Sequence, residues 1–369
     1  MKNKERIINI IKSKIESDYK DDVAILAVYG SYAMGINDEK SDVDFFYIPK
    51  TDRANALCYQ FIIDGIGYDL FPIRWERLVK IAALDQPLTA VITESKVIFS
   101  STEEDLNRYE GYRKSILKIC SPQGQSVLLN KSYEYFNECF IYLHNMKSEV
   151  KNMIDLRIES SKIISKIVIV LAFANHTYYK RGMGMNIKDS FELKKLPKDY
   201  KALINLIIEA SDSKEIIEAC EILIKNTREF LLEQVKSKKQ QEPYETIFVG
   251  YYEELKSVIN KMMRACDKKD EYSAFIIAAY FHEEVAQFMA KSEEGIWYND
   301  RNYYSEYSKS FETFIGVDLM KLAAMKEFSA LKEAVNEFET KFVDLLVKKG
   351  VTIKSYDSID EFEVDYQKR

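Results

Sequence analysis

The chain has 369 residues, 47% of them hydrophobic and 30% charged, which supplies core for two or three domains and excludes a disordered protein. Its 53 Lys and Arg against 59 Asp and Glu leave a formal charge of -6, a poor balance for a sequence-independent nucleic-acid binder. With only 12 Gly and 6 Pro, long helices are favoured over an all-β protein full of tight turns.

In chain order, Ile7, Ile8, Ile11 and Ile15 recur at helical spacing, while Lys12 and Lys14 interrupt any apolar leader core. VAILAVYG (Val23–Gly30) reads as a buried strand, and after the polar stretch SYAMGINDEKS, DVDFFYIP reads as a second. YQFIIDGIGYDLFPI predicts a hairpin turning at Asp64-Gly65. WERLVKIAAL predicts a helix and Lys96–Ser100 a closing strand, so residues 1–120 form a small mixed-sheet domain. From about residue 102 the strand signal disappears. Leu129, Tyr133, Phe136, Phe140 and Leu143 follow the helical period, and three further helical segments complete a bundle over residues 121–238. The apolar run Ile163–Ala174 contains Lys166 and is too short to span a bilayer. KSKKQQEP (Lys236–Pro243) reads as a linker, and residues 244–369 as an additional helical domain of unassigned role. The fold class is α+β. Five cysteines, Cys58, Cys120, Cys139, Cys220 and Cys266, include no close pair and read as thiols of a cytoplasmic protein.

Chemistry concentrates in Gly30-Ser31, Asp42, Asp44 and Asp69. Asp42 and Asp44 stand at i and i+2 of a predicted strand, so their carboxylates share a face. Asp69 interrupts an otherwise apolar strand of the following hairpin and brings a third carboxylate alongside. Such a cluster is costly to desolvate unless a hard cation lies among the carboxylates. Gly30-Ser31 ends the first strand where a helix should begin, and a residue without Cβ lets donors approach phosphate oxygens. Together these residues read as a magnesium–nucleoside-triphosphate site.

The same residues resemble the nucleotidyltransferase superfamily that includes DNA polymerase β and the antibiotic-modifying adenylyltransferases. Its pattern is a Gly-Ser pair, a spacer of about ten residues, an Asp-x-Asp/Glu strand and a third acidic strand. Over residues 25–235 the chain is most similar to the kanamycin nucleotidyltransferase group, through LDQPLTAVI, AFANHTYYKRG and LPKDYKALI besides the Gly-Ser to Ser-Asp spacing. The resemblance implies a nucleotidyltransferase domain followed by helical bundle domains, the first of these on the acceptor and dimerisation side. It implies ATP or another nucleoside triphosphate at Gly30, Ser31, Asp42 and Asp44, with two magnesium ions at Asp42, Asp44 and Asp69. It further implies Glu134 as general base on the hydroxyl of an aminoglycoside-like acceptor, and a homodimer. Read from residues alone, Glu134 is equally well explained as part of a solvated helix face with Glu138. Met34 stands where many relatives have Arg, and Glu138 where the kanamycin enzymes have Lys. Lys40, Lys131 and Arg74 are then the candidate cations for the triphosphate.

Other features carry less. His144, His176 and His282 are scattered, and His176 after its apolar helix reads as structural. Trp297, Tyr298, Tyr303, Tyr304 and Tyr307 fit a core or dimer interface better than a stacking platform. No P-loop, GxGxxG or GxSxG is present. Two rival readings are an antitoxin-like protein adenylyltransferase, which would be shorter, and a non-catalytic nucleotide-binding scaffold, which has no reason to keep three clustered carboxylates.

Overall fold

A computed structural model describes residues 2–149, 152–182, 184–237, 242–298 and 304–368. The chain divides into two compact units, Met1–Leu231 and Leu232–Arg369. The architecture is α+β: one five-stranded mixed sheet lies in the first unit and helices make up the rest.

The sheet contains β1 (Val23–Tyr29), β2 (Asp44–Pro49), β3 (Tyr59–Ile63), β4 (Ile66–Pro72) and β5 (Lys96–Ser100), in the order β3-β4-β2-β1-β5. Val23 to Val28 are all buried, which is why β1 reads as an unbroken apolar run rather than an alternating one. On one face Ile7 and Ile15 of α1 (Lys2–Asp18) join Leu26, Val28, Phe45 and Tyr47 in a single core. On the other, Phe46 packs on Tyr109 of α5 (Glu103–Ile119). The short helix α2 (Gly30–Met34) follows β1 directly. Asp64 and Gly65, at φ 53° and 74°, form the two-residue turn of the β3–β4 hairpin. That reversal lets β4 run parallel to β2, while every other pairing in the sheet is antiparallel. The helices α3 (Trp75–Ala82) and α4 (Thr89–Thr93) lead into β5.

The helical part of the first unit contains α6 (Gln125–Ser148), α7 (Met153–Ala174), α8 (Met185–Ser190), α9 (Tyr200–Glu209) and α10 (Ser213–Lys236). Ile163, Ile167, Val168, Val170 and Leu171 make α7 the apolar centre, as its composition predicts. The buried face of α6 keeps Tyr133 and Phe136 of the expected stripe and adds Leu128, Ser132, Tyr135, Cys139 and Met146 beside them, whereas Phe140 is exposed. Ser132 satisfies its hydroxyl on the Leu128 carbonyl, so a polar residue can occupy the seam. His176 takes φ 59° at the end of α7, where the Thr177 amide returns to the Ala172 carbonyl. This C-terminal cap is the structural role expected for it.

The second unit contains α11 (Tyr244–Ile247), α12 (Tyr251–Lys268), α13 (Glu271–Tyr280), α14 (Ala286–Glu294), α15 (Lys309–Ile315), α16 (Leu319–Ala324), α17 (Phe328–Lys348) and α18 (Ile359–Tyr366). Its core joins Phe248, Ile259, Phe281, Phe311, Phe338 and Phe342. Tyr298 and Tyr307 are buried there, in line with the core reading, Trp297 is partly exposed, and Tyr303 lies outside the described residues. Two departures from the helical pattern stand out. A wide, π-type turn (Phe281–Val285) joins α13 to α14. The long segment beginning at Leu319 is two helices, broken where Lys326 adopts φ 60°. No helix among the described residues is long and apolar enough to cross a membrane.

Candidate active site

The parallel register pairs Asp44 with Asp69, so the two carboxylate-bearing residues stand side by side, Asp44 opening β2 and Asp69 in the middle of β4. Asp42 lies in the loop entering β2, not in the strand as its spacing predicts, because the ladder begins only at Asp44. Its charge still acts on Asp44. Burial, then Asp42, then Asp69 push the Asp44 carboxyl up to about 6. Asp69 is exposed and accepts a 2.7 Å bond from Gln60 Nε2 across the hairpin.

Gly30 is required here twice over. Its φ is 70°, and a Cβ at this position would collide with Asp44 Oδ2. The strand-to-helix turn can therefore lie directly against the carboxylate only if the residue is glycine, with Ser31 following in the first turn of α2. The loop between α2 and β2 is fastened by Ser41, which exchanges bonds with Asp38, and by Lys4 Nζ on the Asp38 carbonyl at 2.8 Å.

Two nearby residues escape the sequence reading. Tyr29, at the end of β1, has its phenol raised by burial and then by Asp44, Asp69 and Asp42, with Arg77 opposing. Tyr29 and Arg77 therefore belong to the electrostatic surroundings of the three carboxylates. Tyr29 carries a signal in hindsight, since it immediately precedes Gly30; Arg77, on α3, carries none. Arg74 is different. It follows the C-terminal end of β4, which pairs with Tyr47 rather than with Asp44, and itself pairs with Asp52 at 3.2 Å. That position corrects the expectation of Arg74 as a phosphate cation.

Asp42, Asp44 and Asp69 offer hard oxygen donors. Among the described residues no group of three or more His, Cys, Asp or Glu side chains is close enough to hold an ion unaided. An open carboxylate pair fits magnesium, which keeps waters and phosphate oxygens in its shell rather than a full protein cage.

Glu134 lies on α6 with its side chain about half exposed at 48%, paired to Lys131 at 2.7 Å. Lys131 also bonds Asp85 at 2.6 Å, so this candidate cation is already held between two carboxylates. Glu138 pairs with Lys166 of α7 at 2.7 Å.

A cavity of about 550 Å³ opens at the end of α2. Met34 and Ile36 line it with Glu94, Tyr178, Tyr179 and Arg181. Glu94 accepts from the Tyr178 hydroxyl at 2.6 Å and pairs with Lys180 at 3.0 Å, while Arg181 pairs with Asp189. Met34 is thus a wall of the cavity.

Residues 136–237 match the KNTase C-terminal domain, a segment running from within α6 to the end of α10. A solved structure of a nucleotidyltransferase-like protein from Exiguobacterium sibiricum 255-15 is 9% identical, with a TM-score of 0.37, covering 64% of this chain and 82% of that one. No curated protein matches in sequence. The helical part of the first unit is therefore similar to the KNTase C-terminal domain, and in the chain it follows the Gly30–Asp44–Asp69 arrangement on the mixed sheet. The match begins two residues after Glu134 and leaves the three carboxylates outside it.

Proposed function

We propose that the chain transfers a nucleoside monophosphate, AMP from ATP, to a hydroxyl of a small aminoglycoside-like acceptor, with magnesium. The observation that carries the reading is the parallel pairing of Asp44 with Asp69 beneath Gly30. Bound magnesium would be held by Asp42, Asp44 and Asp69 and would offset phosphate charge. Gly30 and Ser31 would receive the triphosphate, and the cavity lined by Met34, Ile36 and Tyr178 suits the nucleoside, with apolar walls and an aromatic ring. The acceptor oxygen forms a bond to the α-phosphorus, the α–β phosphoanhydride bond breaks, and pyrophosphate leaves. The acceptor's proton passes to the Glu134 carboxylate, whose ion pair with Lys131 orients it. A homodimer, as in the group it resembles, belongs to the same proposal, as does a cytoplasmic location.

Asp44→Asn tests the assignment. The substitution keeps the shape and removes the charge, so magnesium-dependent ATP binding measured by calorimetry should fall by at least about tenfold. Unchanged binding would overturn the role given to Asp44.

A further inference from the structure

The second unit contains a cavity of about 730 Å³, within the range of small-ligand sites. Its lining includes His282, Glu283, Tyr304, Glu312, Asp318 and Met320. His282 and Glu283 are brought there by the π-type turn, an insertion that costs helical hydrogen-bond regularity and recurs at functional sites. The histidine is fixed in one form. The Leu319 amide, which can only donate, bonds His282 Nε2 at 3.2 Å, so Nε2 is the acceptor and Nδ1 carries the hydrogen. Nδ1–H then donates to the Tyr304 hydroxyl at 2.7 Å. The imidazole is therefore neutral, and burial lowers its basicity further against the pull of Asp318 and Glu312.

The consequence is an imbalance of charge. Glu283, Glu312 and Asp318, all with exposed side chains, line the cavity, its lining among the described residues includes no Lys or Arg, and the one titratable base is held neutral. Asp318 uses one oxygen to cap α16 through the Lys321 amide at 2.9 Å, a bond that does not neutralise the carboxylate. Val317 and Met320 give the cavity an apolar wall, and Tyr304 adds an aromatic ring.

We propose that this cavity is a binding site for a small organic cation, an amine whose ammonium meets Glu312 and Asp318 and whose apolar body lies against Met320 and Val317. The site is independent of the nucleotidyltransferase reading and stands on the second unit alone.

Phenethylamine, 2-phenylethanol and phenylacetate share a body and differ in head charge, so titrating each into the full chain isolates the ammonium. The sequence has only three histidines, which makes the imidazole ¹H–¹⁵N spectrum a local reporter, with His282 assigned by its loss in His282→Asn. Phenethylamine should shift the His282 signals saturably, with the alcohol and the acid at least about tenfold weaker. Glu312→Gln with Asp318→Asn, which keeps a capping side chain, should weaken the amine by about tenfold. Glu283→Gln, outside the pair that meets the ammonium, should weaken it less and serves if the double variant does not fold. Equal response to the three probes, no movement of His282, or full amine affinity in the folded charge variants would overturn the proposal.

Discussion

Asp44 must be ionised to hold a cation, in a place where the fold favours its neutral form. With its carboxyl at about 6, the folded chain keeps a proton that the unfolded chain releases from about pH 4 upward. Stability from this group is therefore present below about pH 4, falls as pH rises towards 6, and stays reduced above that. Asp44→Asn removes the penalty. The variant should melt a few degrees above the unsubstituted protein at pH 7.5 without divalent ions, and the gap should close below pH 4. Magnesium should raise only the unsubstituted protein. Parallel melting profiles of the two proteins across pH would contradict this. Gly30→Ala acts on the same contact from the other side, since its Cβ would displace Asp44 and its φ is strained. It should abolish turnover and cost about 1–3 kcal/mol in urea unfolding, whereas retained activity would show that the turn can move away.

The hairpin is the element that builds the site, because only a β4 returned parallel to β2 sets Asp69 beside Asp44. Its mark in the sequence is plain: Asp64-Gly65 supplies two positive-φ residues between apolar runs. The break between α16 and α17 has no such mark. Lys326 occupies the left-handed position that glycine usually fills, held by the Glu327 amide on the Leu322 carbonyl, and its ion pair with Glu271 is solvent-exposed. Lys326→Gly should therefore raise stability by about 0.5–1 kcal/mol, read as a higher urea midpoint. A lower midpoint would mean that the ion pair outweighs the backbone strain. The same contrast explains what periodicity shows and what it hides. β1 and the end of α7 from Ile167 to Ala174 are almost wholly buried, so composition alone reveals them. The buried face of α6 takes in Ser132, whose hydroxyl bonds within the seam, so a stripe chosen by apolarity finds Tyr133 and Phe136 but misses the rest of it. Arg74 fails as a phosphate cation for a topological reason, since strand direction decides which end of the sheet a residue reaches.

At the scale of the whole molecule, the sequence carries the catalytic unit further than its companion. Gly30, Asp44 and Asp69 declare themselves because each breaks a local rule, a glycine before a helix and carboxylates in apolar strands. The cavity lined by Met34 and Tyr178 joins residues far apart in the chain and leaves no local trace. The unit from Leu232 onward has its own core and its own cavity, and its role is not written in any short motif. The central claim is the transfer itself, and it is tested by mass spectrometry of an aminoglycoside panel incubated with the protein, ATP and magnesium. The account predicts that an acceptor gains one AMP, that pyrophosphate appears with it, and that Asp44→Asn produces neither. An unaltered panel, together with no magnesium-dependent binding of ATP, would contradict it.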